Sequence, residues 1–139
     1  MRLRLSANMA MVSLVISLTA AAHVDTNVAA FGINCEGSIK CGGQPGDTAS
    51  LLVGDIDGIN VERYYTNGEH IACRINICAF LQNQEEQMSG AAIRSAAHDI
   101  TEHGCKVCGS APTKPGNNVA DGQLTFNFVS EAACREGLC

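Results

Sequence analysis

The most regular pattern of apolar residues predicts a helix in the second half of the chain. Apolar residues recur there at intervals of three and four, the spacing that places side chains on one face of a helix. Ser89 is a suitable N-cap, and Gly104 suits the position just after the last turn. The predicted apolar stripe consists of Met88, Ala92, Ile93, Ala96, Ala97 and Ile100. Because most of these side chains are small, we expect this helix to lie close to a sheet.

A second, shorter helix is predicted over residues 49–56. A turn-forming cluster at residues 42–46 precedes it, and Asp47 can serve as its cap. We expect its apolar face to consist of Leu51, Leu52 and Ile56.

The strand pattern predicts an antiparallel sheet. Residues 61–65 and 71–81 are rich in β-forming side chains and flank Asn67-Gly68, a dipeptide typical of tight hairpin turns. In residues 123–129 apolar and polar side chains alternate, the period of a half-buried strand. Strands at both ends with helices between them predict an α+β fold, an antiparallel sheet with two helices packed on one face.

Residues 1–22 have the pattern of a secretory signal peptide. Two arginines precede a short apolar run that ends in three alanines at residues 20–22. Polar residues follow so closely that the run is not a convincing membrane span. We therefore predict an extracellular protein without stable membrane insertion. Residues 23–30 are expected to form a propeptide or a disordered amino terminus, and residues 31–139 the mature domain.

The net negative charge argues against nucleic acids as partners. The 139-residue chain has 9 basic and 14 acidic side chains, and residues 31–139 retain 7 and 13 of them, a net charge of −6. Such an acidic protein lacks the positive surface that a nucleic-acid binder needs. We expect a monomer that binds no nucleic acid.

Eight cysteines in so short a secreted chain indicate four disulfides. Cys105 and Cys108 also have the spacing of a redox pair or of half a zinc site, but a second suitable pair is missing. Counting alone leaves the pairing open. The eight residues are Cys35, Cys41, Cys73, Cys78, Cys105, Cys108, Cys134 and Cys139.

No catalytic or metal-binding motif is complete. Residues 55–58 resemble the start of a calcium loop, but Asn60 and Thr66 occupy positions where such a loop needs Gly and Glu. His98 and His103 are five residues apart, whereas two metal ligands on one helical face are separated by four. We therefore predict no enzymatic activity, no cofactor and no metal ion.

Three segments of the mature chain form a specific combination. Gly32-Ile-Asn-Cys-Glu-Gly-Ser38 precedes Cys41, His103-Gly-Cys-Lys-Val-Cys-Gly-Ser110 follows the long helix, and Gly122-Gln-Leu-Thr-Phe-Asn-Phe-Val129 contains the alternating strand. Together they resemble the small secreted fungal killer toxins of the killer protein four type. The resemblance covers nearly the whole mature domain.

The resemblance carries implications for fold and crosslinks. It implies an α/β sandwich, in which helices cover one face of an antiparallel sheet. It also implies the disulfides Cys35–Cys105, Cys41–Cys108 and Cys73–Cys134, which leaves Cys78 and Cys139 to pair by elimination.

For function, the resemblance implies growth inhibition of competing fungi through interference with calcium uptake at a membrane channel. In the family this activity is tied to a lysine shortly before the cysteine matched by Cys73, and the aligned residue here is Ile71. If a charge-based contact with a target survives, we expect it to depend on Arg74 above all, then on Lys106, with Arg63 as a further base.

A second hypothesis follows from the acidic composition. An acidic protein is repelled by a negative pore mouth unless its bases cluster. The alternative is therefore a secreted effector or wall-associated binding protein that keeps the killer-toxin fold and has lost channel block.

Overall fold

Two α-helices form where the apolar pattern predicts them. In the computed structural model, which describes residues 32–139, α1 spans Thr48–Ile56 and α2 spans Gly90–Glu102. The Ser89 hydroxyl accepts a hydrogen bond from the Ala92 N–H at 3.3 Å, which confirms the predicted cap of α2. The predicted signal peptide, residues 1–22, and the predicted segment 23–30 lie outside the described residues.

The apolar face of α1 differs from the prediction at one position. Leu52 and Ile56 are fully buried as expected, but Leu51 is 42% exposed. Ala49 and Val53 complete the buried face instead. Asp47 precedes the helix, but its side chain makes no capping hydrogen bond.

Within residues 32–139, seven strands form two antiparallel sheets. The larger sheet has the order β5-β6-β3-β2-β7, and the smaller one pairs β1 with β4. The strands are β1 Tyr64–Tyr65, β2 Ala72–Arg74, β3 Ile77–Gln82, β4 Met88–Ser89, β5 Gly109–Pro112, β6 Gln123–Phe128 and β7 Glu136–Leu138. The connections of this part of the chain contain the 3-10 helices Ile39–Gly43 and Val119–Asp121.

The central hairpin forms at a different turn from the one predicted. Residues 71–81 are not one strand, because the chain reverses at Ile75 and Asn76 and pairs Arg74 with Ile77. The Asn67-Gly68 turn does not join two strands of a hairpin. Asn67 instead makes an isolated parallel bridge with Leu81.

The core lies between the large sheet and the two helices. α1 contacts β2, and α2 contacts β5 and β6. The largest fully buried side chains come from both layers and include Leu52, Ile56, Leu81, Ile93, Ile100, Leu124 and Phe126. This arrangement confirms the predicted α+β fold with its antiparallel sheet. No helix among residues 32–139 has the length and apolar character needed to cross a membrane.

Candidate target-binding surface

Two disulfides attach the amino-terminal segment to the chain that follows α2. Cys35 is bonded to Cys105 and Cys41 to Cys108, with Cα–Cα distances of 5.1 and 6.1 Å. These are the two pairs that the family resemblance implies. Because Cys105 and Cys108 have separate partners, they form neither a redox disulfide with each other nor half of a zinc site.

The other two disulfides correct the pairing that the resemblance implies. Cys73 is bonded to Cys78 rather than to Cys134, and Cys134 is bonded to Cys139. The reason lies in the hairpin: Cys73 and Cys78 are directly opposite each other on β2 and β3, with their Cα atoms 4.1 Å apart. Every cysteine among the described residues is disulfide-bonded.

The two short disulfides lie against each other. The Sγ atoms of Cys139 and Cys73 are 3.5 Å apart, and the Sγ atom of Cys134 belongs to the same cluster. Sulfur atoms in disulfides are not thiolates, so this cluster offers no ordinary metal ligands. Cys134 and Cys139 are the partners that the resemblance implied for Cys73 and Cys78. All four cysteines therefore lie in one region of the fold.

Arg74, the base expected to contact a target, is held by an acidic side chain of α1. Its Nε and one terminal nitrogen donate hydrogen bonds of 2.7 and 2.6 Å to the two carboxylate oxygens of Asp55. The exposed fractions of the two side chains are 27% and 15%. The hydrogen bond to Asp55 raises the pKa of the Arg74 guanidinium, against a smaller opposing effect of burial. Arg74 is therefore part of the link between β2 and α1 rather than a freely exposed charge.

Arg63 is also paired within the protein. Its guanidinium forms an ion pair with Glu69 and lies over the ring of Tyr65, 4.3 Å from the ring centroid. Glu69 in turn accepts a hydrogen bond from the backbone N–H of Thr66. These contacts fix Arg63 against the loop that follows β1.

Lys106 is exposed, as Arg63 is, but it differs from both arginines in its partners. Within residues 32–139, no carboxylate forms an ion pair with it. Its backbone oxygen accepts a hydrogen bond of 2.9 Å from the Ala49 N–H at the start of α1. The residue lines an open cavity of about 350 Å³ together with Cys35, Cys41 and Val107. The structure thus places Lys106, Arg74 and Arg63 in three different environments.

The sequence analysis did not identify the turn of the β2–β3 hairpin as a candidate site. Ile75 occupies this turn with a φ of +56° and is 49% exposed. It borders a cavity of about 320 Å³ that Arg74, Leu51 and Glu136 also line. The signal that could have identified the turn is the spacing of Cys73 and Cys78, which fits two cysteines facing each other across a two-residue turn.

Comparison with known proteins identifies the family of the chain. The family model described as Kp4 matches residues 18–130. The KP4 killer toxin of Ustilago maydis P4 virus is 34% identical over 126 residues, which cover 88% of this chain and 98% of that protein. A family model that matches most of the chain, and a relative aligned over almost its full length, identify the family. The chain belongs to the Kp4 killer toxin family.

Proposed function

We propose that this protein is a secreted toxin that inhibits the growth of competing cells by binding a protein in the target membrane. The observation that carries the proposal is the 34% identity to a killer toxin over 98% of that toxin's length. A calcium channel is the target class implied by the resemblance of the cysteine-bearing segments. The predicted signal peptide and the four disulfides support an extracellular site of action.

The scaffold suits tight binding to a target. Two disulfides connect positions 70 and 67 residues apart, so the segment around Cys35 and Cys41 is fixed to the chain after α2. A surface held in this way loses little conformational freedom when it binds. We therefore propose that the toxin acts by binding and not by catalysis.

Lys106 is the base best placed for a charge-dependent contact. It is exposed, and its backbone lies between two crosslinked cysteines. Arg74 and Arg63 have carboxylate partners within the protein, so their charges are already balanced locally. The sequence led us to expect Arg74 to contribute most to a charge-dependent contact with the target. We propose instead that Lys106 contributes more than Arg74.

Growth inhibition by the purified protein tests the proposal. The full chain is expressed in a secreting fungal host and purified from the medium, then applied to a panel of fungi that includes Ustilago maydis. We expect reduced growth and reduced calcium uptake in sensitive cells, and no effect from protein whose disulfides have been reduced and alkylated. Lack of activity against every member of the panel would contradict the proposal.

Charge reversal tests the role of Lys106. Lys106→Glu is compared with Arg94→Glu, because both bases are exposed and neither forms an ion pair within residues 32–139. We expect Lys106→Glu to lower the inhibitory activity at least tenfold, while Arg94→Glu leaves it within twofold. Equal activity of the two variants would exclude a charge site at Lys106.

A secreted effector or wall-associated binding protein is the second candidate. The observation in its favour is the internal pairing of Arg74 with Asp55, together with Ile71 at the position of the family lysine. In this case the protein would bind a cell-wall fraction in a sedimentation assay and leave both growth and calcium uptake unchanged.

A further inference from the structure

Ile75 has a backbone conformation that its side chain disfavours. Among residues 32–139, three non-glycine residues have positive φ, and the other two are Asn83 and Asn117. Asn tolerates the left-handed region, whereas a β-branched residue there is a genuine outlier. In a two-residue hairpin turn with positive φ at the first position only, Gly is the preferred residue. Ile75 therefore occupies a position at which glycine would be conformationally better.

Burial does not explain this choice, because the Ile75 side chain is about half exposed. Its exposed fraction is 49%, while the neighbouring strand residues Ala72 and Ile77 are completely buried. An isoleucine kept in a disfavoured conformation without full burial gains little for the stability of the domain. Backbone strain of this kind is concentrated at functional sites.

The turn around Ile75 is fixed from several directions. The Ile75 N–H donates a hydrogen bond of 2.7 Å to the backbone oxygen of Arg135. The Asn76 side-chain amide donates one of 3.0 Å to the backbone oxygen of Val129. Behind the turn, the disulfide Cys73–Cys78 joins the two strands. The side chain of Ile75 is thus presented on a rigid support.

The cavity beside Ile75 has an acidic rim. It measures about 320 Å³, and its lining includes Asp47 and Glu136, which form no ion pair within the described part of the chain. Arg74 also lines the cavity; Asp55 forms an ion pair with it, and Glu136, directly opposite on β7, interacts with it more weakly. Leu51 supplies an apolar wall. An aliphatic tip next to an acidic cavity is complementary to a protein surface with an apolar pocket and a neighbouring basic side chain.

We propose that the hairpin tip at Ile75 and the adjacent cavity form a second surface, besides that of Lys106, that contacts a protein on the target cell. Ile75 enters an apolar pocket of that protein, and a lysine or arginine of the same protein enters the cavity between Asp47 and Glu136. This inference rests on the proposed function as a toxin and specifies the contact surface. It assigns the target a basic contact, in keeping with the net charge of −6 of residues 31–139.

The test is Ile75→Gly, measured for both stability and cell binding. Glycine removes the side chain and relieves the backbone, so we expect the melting temperature to stay the same or rise. We expect saturable binding of dye-labelled protein to sensitive cells, and growth inhibition, to fall at least tenfold. Ile39→Gly is the matched control because Ile39 is 95% exposed and lies outside the cavity lining. It should leave binding within twofold.

A second variant tests the charge of the cavity. Asp47→Asn combined with Glu136→Gln keeps the shape of both side chains and removes their charges. We expect weaker binding to the same cells and a smaller loss of binding when the salt concentration is raised. Binding of the wild-type protein should disappear after the cells are treated with a protease, since the partner is a protein.

The outcomes separate this inference from the proposed function. Wild-type protein that neither binds nor inhibits any cell of the panel overturns both. An active wild type together with a fully active Ile75→Gly variant overturns only the contact surface. A clearly lower melting temperature of Ile75→Gly, equal loss of binding in Ile39→Gly, full binding by the Asp47→Asn/Glu136→Gln variant, or binding that survives protease treatment also overturns it.

Discussion

Replacement of Arg74 by methionine is expected to lower the free energy of unfolding by about 2 kcal/mol. The substitution retains most of the aliphatic stem and removes the guanidinium. Both carboxylate oxygens of Asp55 then lose a hydrogen bond, and Asp55 is left with 15% of its side chain exposed. The ion pair that connects β2 to α1 is then absent.

The magnitude follows from the partial burial of the pair. Exposed ion pairs contribute roughly 0–1 kcal/mol, whereas breaking a fully buried pair costs roughly 3–5 kcal/mol. With exposed fractions of 27% and 15%, the Arg74–Asp55 pair lies between these limits. The value for Asp55→Asn should be smaller, because the longer Arg74 side chain can turn towards water when its partner is neutral.

Equilibrium unfolding in guanidinium chloride, with the disulfides intact, measures the effect. The midpoint should fall in Arg74→Met without a change in the slope of free energy against denaturant. Combined with Asp55→Asn in a double-mutant cycle, the coupling energy should be roughly 1–2 kcal/mol. The matched control is Arg63→Met, whose ion pair with Glu69 is more exposed, at 49% and 29%.

The comparison with Arg63→Met tests whether the more buried ion pair contributes more to the free energy of unfolding. If Arg74→Met costs no more than Arg63→Met, or if the coupling energy is near zero, the Arg74–Asp55 pair is not the link described above. The result also affects any functional test of Arg74. Any change of activity measured for an Arg74 variant must first be corrected for the fraction of unfolded protein.

Three further predictions concern the fold. Ser89→Ala should lower the free energy of unfolding by about 1 kcal/mol, because α2 loses its cap. Denaturant unfolding measures this, and an unchanged free energy of unfolding would contradict the prediction. Gly90→Ala should cost about 3 kcal/mol, because its Cβ would lie 2.1 Å from the backbone oxygen of Asn60, and an unchanged melting temperature would contradict this. Tryptic peptides of denatured, unreduced protein, cleaved after Arg74 and Arg135, should be linked as Cys73–Cys78 and Cys134–Cys139. A peptide linking Cys73 to Cys134 would disprove the pairing.

The helices could be predicted from the sequence because their signals are local. The apolar period of α2, its cap at Ser89 and the glycine at 104 are each recognisable from a few neighbouring residues, and the structure has all three. The strand β6 was predicted for the same reason, since its buried residues Leu124 and Phe126 alternate along one segment. Local periodicity is enough to indicate these elements, although their stability comes from tertiary packing.

The central hairpin and two of the disulfides could not be predicted in this way. A positive φ at Ile75 contradicts the local preference of isoleucine, so the pattern of residues 71–81 favours an uninterrupted strand. Once the turn is placed at Asn67-Gly68, Cys73 and Cys78 no longer face each other, and their disulfide is missed. The short strand β7, Glu136–Leu138, contains a glycine with a φ of +87° and depends on its pairing with β2.

The candidate surface was missed because its properties depend on pairing in the folded state. From sequence, Arg74 is a base expected to contact a target, and Ile75 lies within a predicted strand. In the fold, Asp55 balances the charge of Arg74, and the turn exposes Ile75 next to the carboxylates of Asp47 and Glu136. The sequence predicts a cationic surface around this hairpin. In the fold, the surface around the hairpin tip is aliphatic and acidic. The proposed contact therefore does not require a basic residue at position 71, provided that the target supplies the positive charge.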